Sequence, residues 1–258
     1  MAAFEYMLST VSPPKTAEQL EIEKQAAAEA AFRYVRDGML LGLGSGSTAA
    51  YFLLVIAEAL RRAELKIEAV ASSLLVGAKA KELGIPVSEP RRGVRLDLTV
   101  DGADEIAPDL TLIKGAGGAL LREKILARAS RHFLVIADSS KRVAQLGGRS
   151  VPVEVTQFAA PWVMDEIEEL GGKPVLRLDQ AQPGRPVLTD QQNYLVDCDF
   201  GLIGDASDLA AKLNVIPGVV EHGLFLSLTD AAIIADGAEI IVLRPERPPT
   251  HRSDLLLD

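Results

Sequence analysis

The chain has 258 residues, a formal net charge of −9, one cysteine and three histidines. The acidic balance excludes generic nucleic-acid binding, which needs a basic field, and the lone Cys198 excludes an internal disulfide framework. No apolar run reaches membrane-spanning length, and His132, His222 and His251 are too scattered for a metal-ligand spacing or a histidine-based triad.

Met1 to Pro14 lacks the basic segment and long apolar core of a signal peptide, so it reads as a frayed arm and the expected compartment is the cytoplasm. Thr16 to Val35 is rich in Ala and Glu and predicts a helix. Thr16 and Gln19 form its capping box, and Gly38 stops it. Short apolar runs then alternate with polar loops and helices. Met39–Leu41 leads into Gly42-Leu-Gly-Ser-Gly-Ser-Thr48, followed by a helix from Ala49 to Arg62. Ile67–Ala71 ends at Ser72-Ser73, and Leu96–Val100 ends at Asp101-Gly-Ala-Asp104. Leu110–Ile113 ends at Lys114-Gly-Ala-Gly-Gly118, and Phe133–Ala137 ends at Asp138-Ser-Ser-Lys141. Runs this short and apolar predict strands buried on both faces. Their alternation with helices predicts an open, mostly parallel Rossmann-like α/β sheet with helices on both faces. Ligands bind at the carboxyl ends of such strands, so these polar loops read together as one site.

After Gly147-Gly148 the pattern changes. Strands at Val151–Val155, Pro174–Leu178, Tyr194–Phe200 and Val219–Phe225 interleave with helices at Pro161–Leu170 and Ser207–Leu213. That βαββαβ order predicts a ferredoxin-like α+β unit. The expected division is a large α/β domain over 1–147 and 224–258 and a smaller domain over 148–223. Asp179 to Asp190 reads as an exposed loop, and Cys198 as a buried thiol within its strand. Ala231–Ala235 and Ala238–Leu243 flank Asp236-Gly237, a hairpin expected to return to the first sheet. The proline-rich tail after Arg244 reads as irregular.

Three loops carry candidate chemistry. Ser45, Gly46, Ser47 and Thr48 lie between a strand and a helix, where backbone N–H groups and hydroxyls bind phosphate. Two other readings stand beside that one. One is a dinucleotide fingerprint, Gly44-x-Gly46-x-x-Ala49, with Glu68 as its nearest ribose acid; the other is a plain turn. Asp101, Asp104 and Glu105 suit a turn with a helix cap, a Mg²⁺ site, or sugar-hydroxyl binding with proton transfer. Lys114 suits oxyanion or phosphate stabilisation, and the glycines after it permit close approach to a ligand. The next helix carries an apolar stripe at Leu121, Ile125 and Ala129, from which Glu123 points away. Taken alone, Glu123 could simply complement the helix dipole.

Together these motifs, with Ile216-Pro-Gly-Val-Val220, resemble the ribose-5-phosphate isomerase family, type A, in order and spacing from about Glu21 to Leu243. The resemblance implies aldose–ketose isomerisation of ribose 5-phosphate and ribulose 5-phosphate through a cis-enediolate, without metal or cofactor. It implies catalytic roles for Glu123 as the base, Asp101 and Lys114. It implies substrate binding by Lys24, Ser45, Gly46, Ser47, Thr48, Asp101, Gly102, Ala103, Asp104, Lys114, Gly115, Ala116, Gly117 and Lys141. The partner is a small sugar phosphate, and the assembly a homodimer or homotetramer. Leu74-Leu-Val-Gly77 departs from the family, which often has further Ser or Thr after the serine pair. A sugar-phosphate deaminase, a CoA-transferase-like relative and a non-catalytic sugar-phosphate sensor are the rival functions.

Overall fold

The structure, a computed structural model, describes residues 15–245. The readings of the N-terminal arm and of the tail from residue 246 onward fall outside the described residues. The first helix, α1 (Ala17–Phe32), begins with the expected capping box: Thr16 and Gln19 exchange side-chain-to-backbone hydrogen bonds.

The main sheet contains β1 (Leu40–Leu43), β2 (Glu68–Ala71), β3 (Leu96–Asp101), β6 (Ser130–Asp138), β12 (Ala231–Asp236) and β13 (Glu239–Leu243). Its order is β13-β12-β6-β3-β1-β2. All pairs are parallel except the β12–β13 hairpin, which returns to lie beside β6. Strands alternate side chains between faces, and β6 is apolar on both. Leu134 and Ile136 pack with Phe52 and Ile56 of helix α2 (Gly46–Arg61) and with Ala27 and Ala31 of α1. Phe133, Val135 and Ala137 pack on the opposite side with Phe225 and with Ala127 of another helix. Helix α3 (Leu74–Glu82) follows β2 at the edge, with Leu74 and Leu75 exposed.

The connectivity fixes where a ligand can sit. From β1 the chain steps outward to β2, then crosses back so that β3 lies on the other side of β1. That is a topological switch point, and the loops after β1 and β3 diverge there to leave a crevice.

Three expectations are corrected. Leu110–Ile113 does not add a strand to the parallel sheet. Only Leu112–Ile113 (β5) is extended, and it pairs antiparallel with β4 (Glu105–Ile106) and β11 (Leu224–Phe225). The five residues between β4 and β5 suit a reversal but are too few for a parallel crossover. Second, Val219–Phe225 is broken at Gly223 into β10 (Val219–His222) and β11, which belong to different sheets. Third, α2 begins at Gly46, not Ala49, so the serine-glycine loop forms the helix's first turn.

A four-stranded antiparallel sheet contains β7 (Val151–Val155), β8 (Lys173–Leu176), β9 (Tyr194–Asp199) and β10, in the order β10-β7-β9-β8. This is the ferredoxin-like arrangement, with helices α5 (Ala160–Glu169) and α6 (Ala206–Val215) covering its apolar face. Cys198 is fully buried in it, and burial pushes its thiol up to about 12, in keeping with a structural role. Among the described residues no helix is long and apolar enough to cross a membrane.

Gly223 joins the sheets. Its N–H donates to Pro152 O at 2.7 Å, and its carbonyl accepts from Lys114 N at 2.9 Å. A Cβ there would sit 2.2 Å from Lys114 O and 2.7 Å from Pro152 Cδ. Gly223→Ala is therefore expected to lower stability by about 1–3 kcal/mol, the usual range for overpacking. Urea unfolding measures this, and an unchanged midpoint would show that the junction yields to a methyl group.

Candidate active site

At the switch point one small cavity, about 80 Å³, is lined by Ser45, Gly46, Ser47, Thr48, Gly102, Ala103, Asp104, Lys114, Gly115, Ala116, Gly117, Glu123 and Lys141. Four separated segments of sequence meet there. Lys24, expected on the substrate, does not line it: its ammonium lies on α1 and pairs with Glu21 at 2.6 Å. Asp101 stands directly behind the lining and is fully buried.

The centre of the site is Lys114. Its Nζ lies 2.9 Å from Asp101 Oδ2 and 3.1 Å from Glu123 Oε2, and it donates to Gly102 O at 2.6 Å. All three ionisable side chains are 4% exposed or less. Asp101 Oδ1 also accepts from Ser45 N at 2.9 Å and Gly102 N at 2.7 Å. Two carboxylates and one ammonium in a dry site carry a net negative charge if all are ionised. Burial above all, and then the neighbouring Glu123 charge, push Asp101 up to about 7 against the pull of Lys114. The same two carboxylates raise Lys114 despite its burial, so it stays an ammonium.

Ser45 occupies the N-cap position of α2 but does not cap it. Its hydroxyl donates instead to Glu123 Oε1. The first-turn N–H groups of α2 therefore face the cavity without a side-chain acceptor, the arrangement that attracts an anion. Gly44 leaves room for the carboxylate behind this turn, since a Cβ would lie 2.2 Å from Asp101 Cγ.

Glu123 is on α4 (Leu120–Ala129), and the helix is turned differently from its apolar stripe. Ile125 is exposed and Leu121 half-buried, while Leu120, Glu123, Leu126 and Ala127 form the buried face. The carboxylate thus lies on the core side of its helix, which electrostatics alone would disfavour.

The other acids of the Asp101 loop have separate tasks. Asp104 Oδ2 accepts from Ala116 N at 3.0 Å, and Glu105 Oε2 from Gly147 N at 2.8 Å. Among the described residues no group of three or more His, Cys, Asp or Glu is placed to hold a metal ion. Glu68 lies at the amino end of β2, paired with Arg91 at 2.7 Å, so the ribose acid of a dinucleotide fold is missing from the carboxyl end.

Two residues without a sequence motif support the walls. Buried Glu23 accepts from Ser139 N at 3.0 Å and Ser139 Oγ at 2.8 Å, at the turn that carries Lys141. Arg177 of the antiparallel sheet reaches the carbonyls of Gly115 and Ala116. Both lie far in sequence from what they hold, so neither gives a local signal.

Fold and site define an α/β protein with a cation-centred pair of buried carboxylates at its switch point. The family model for ribose 5-phosphate isomerase A (phosphoriboisomerase A) matches residues 68–239. The ribose-5-phosphate isomerase A of Roseiflexus sp. (strain RS-1) is 48% identical over 222 residues, covering 85% of this chain and 94% of that protein. A solved ribose 5-phosphate isomerase A from Methanocaldococcus jannaschii superposes with a TM-score of 0.82 at 36% identity, covering 87% of this chain and 99% of that one. A D-ribose-5-phosphate isomerase solved in complex with phospho-erythronic acid gives 0.84, also at 36% identity and with the same coverage. The chain belongs to the ribose 5-phosphate isomerase A family.

The buried carboxylate has a consequence for pH. Asp101 has an ordinary value of 3.8 and is raised to about 7 on folding. Between those values the folded chain binds more protons than the unfolded one. The stability contribution is therefore full below the lower value and is lost as pH rises through the upper one. The thermal midpoint of the wild type, taken relative to Asp101→Asn, is expected to rise from about pH 8 to about pH 5. Parallel pH dependences in the two proteins would contradict the assignment.

Proposed function

We propose that this chain interconverts D-ribose 5-phosphate and D-ribulose 5-phosphate, with Glu123 as the proton-transferring base. The observation that carries the reading is the Ser45–Glu123–Lys114–Asp101 constellation beside an uncapped helix N-terminus, in a member of this family.

In the open-chain aldose the Glu123 carboxylate removes the proton from C2. The C2–H electron pair becomes the C1–C2 double bond, and the carbonyl π pair moves onto O1. The Lys114 ammonium stabilises that oxygen, the type of interaction whose loss costs about 10²–10³-fold in kcat. A proton then passes from O2 to O1. Asp101, fully buried behind the cavity lining, does not meet the sugar and acts by holding the Lys114 ammonium in place. Glu123, now an acid, delivers its proton to C1, leaving a ketone at C2 and a hydroxyl at C1. The serine hydroxyl orients the base throughout. Gly46, Ser47 and Thr48, with Lys141, suit the oxygens of the sugar phosphate. Lys24 would reach a phosphate only after leaving Glu21.

We also read the chain as a homo-oligomer that works without a metal or organic cofactor. Phe158 and Trp162, 82% and 60% exposed and packed edge to face, support an apolar contact surface.

Glu123→Gln keeps an oxygen for Ser45 but removes the base. In the presence of EDTA the wild type should isomerise ribose 5-phosphate, and Glu123→Gln should lose about 10²–10⁴-fold in kcat. KM should change less, because the phosphate contacts lie on other loops. Glu123 is buried, so thermal melts must accompany the kinetics. Phospho-erythronic acid, which pairs a phosphate with a planar carboxylate like an enediolate, should compete with substrate. Near-normal kcat in a folded Glu123→Gln protein would place the base elsewhere.

A further inference from the structure

One charged side chain of the antiparallel unit, Arg177, reaches the carbonyls of the glycine loop. Arg177 follows β8 directly. Its backbone is fixed by hydrogen bonds from its N–H to Leu195 O at 2.8 Å and from Val187 N to its own carbonyl at 2.9 Å. Its guanidinium is held edge-on by Asp197 of β9, with Nε donating to Oδ2 at 2.8 Å and Nη2 to Oδ1. The remaining nitrogen, Nη1, donates to Ala116 O at 2.9 Å and to Gly115 O at 3.3 Å. From the other side, Asp104 accepts the Ala116 N–H. The Ala116 residue is thus gripped at both its N–H and its carbonyl.

This grip matters because the loop is built of glycine. Gly115 and Gly118 adopt φ of +109° and +82°, and such a segment has many alternative conformations of similar energy. The same loop runs from Lys114, which contacts both carboxylates, to the start of the Glu123 helix. Gly117 faces Ser45, whose Oγ lies 3.7 Å from where a Gly117 Cβ would be. The Gly115–Gly117 stretch joins Lys114, itself held by the Gly223 carbonyl and by both carboxylates, to the helix that carries Glu123, so its conformation sets how those two ends meet.

We propose that Arg177, braced by Asp197, is a positioning residue for the isomerase. It is a strut from the antiparallel sheet that fixes the Gly115–Gly117 backbone and, through it, the geometry of Lys114 and Glu123. The strut rests on the isomerase reading for its kinetic consequence, but its effect on the loop does not. Its guanidinium is already committed to Asp197 and two carbonyls, so it acts on the loop and not on the sugar. A planar fork is needed to meet a carboxylate and two carbonyls at once, which a lysine cannot do.

The test uses the full chain as wild type, Arg177→Ala, Arg177→Lys and Asp197→Asn. Arg185→Ala, an exposed neighbour bonded to Gln182, serves as the control. Misplacing reacting groups by about 1 Å costs up to roughly 10²-fold, so Arg177→Ala should lower kcat by about 10- to 100-fold with KM for ribose 5-phosphate little changed. Arg177→Lys and Asp197→Asn should show smaller losses of the same kind, and Arg185→Ala none. Guanidinium chloride far below denaturing concentration should restore part of the kcat of Arg177→Ala. Amide hydrogen exchange over residues 114–119 should quicken in the Arg177 and Asp197 variants and not in the control. A raised KM with normal kcat would make Arg177 a substrate contact and overturn the strut. So would a loss of kcat that guanidinium leaves untouched and that follows the loss of folded protein. Should Arg177→Ala fail to fold, the lysine and asparagine variants carry the same readouts. Should the wild type lack isomerase activity, the functional reading fails alone, and unchanged exchange at residues 114–119 is what would defeat the strut.

Discussion

A single ammonium between two buried carboxylates sets the terms for the rest of this molecule. Lys114 meets Asp101 and Glu123 in a pocket where none of the three is appreciably exposed. Buried ion pairs are weak sources of stability, because desolvation offsets most of the attraction. Here the charges do not even balance, and burial first, then the Glu123 charge, drives Asp101 towards its neutral form. The surrounding architecture can be understood as what makes that arrangement tolerable. Gly44 lacks the side chain that would displace the Asp101 carboxylate. Ser45 leaves its capping duty to bind Glu123, and Gly102 contributes both an N–H to Asp101 and a carbonyl to Lys114. Stability is spent on holding charged groups in fixed positions, and such preorganisation is a main source of catalytic power in enzymes.

The topology explains why those residues come from such distant segments. The crevice between β1 and β3 exists because the chain reverses direction across the sheet there. It supplies the serine loop and the Asp101 loop. Lys114 and Glu123 arrive by a different route, through the short β4–β5 hairpin and the glycine loop after it. Since β5 is anchored to β11 and not to the parallel sheet, the position of Lys114 depends on how the antiparallel elements sit. Gly223 and Arg177 both make that connection through backbone atoms of residues 114–116. The ferredoxin-like sheet thus contributes no lining residue to the cavity and yet holds one of its walls.

The parts of this plan legible in the sequence are those governed by local rules. The strands of the main sheet show as short apolar runs because both of their faces are covered, and the glycine loops show because few other residues permit such turns. Four of the five strand-end loops converge on one cavity, while Ser72-Ser73, which also ends a strand, stays outside its lining. What stayed hidden required knowledge of three-dimensional partners. The helix after Gly118 offers two apolar faces, and the one with Leu121 and Ile125 is turned outward, Ile125 exposed and Leu121 half-buried. Its burial of a glutamate contradicts hydrophobic patterning, because the partner that permits it, Lys114, lies on another element. The run Leu110–Ile113 is as apolar as a central strand, and only the shortness of its link to β4 distinguishes it. Arg177 and Glu23 have no motif at all, since a single charged side chain 61 or 116 residues from its partner leaves no spacing to detect.

Glu23 shows the same logic at the opposite wall. Burial by itself would raise this carboxylate, but Lys15, the Gly237 N–H and the Ser139 N–H and hydroxyl together hold it at about 2. One ionised side chain on α1 thereby ties the β12–β13 hairpin to the turn that presents Lys141. The cavity is enclosed by short loops, each pinned by a charged side chain from another segment of the chain: Asp104 for Ala116, Arg177 for Gly115 and Ala116, Glu23 for Ser139, Asp101 for Ser45. In a chain with net charge −9, an overall positive field is not available to hold an anion. Most of the charges described at this site are instead neutralised pairwise within the protein. The uncapped α2 terminus and Lys141 also face this cavity, and the influence of a helix terminus reaches about one turn of helix. A site organised this way presents fixed, local donors in place of a broad positive field, so the placement of a ligand's oxygens matters more there than its total charge.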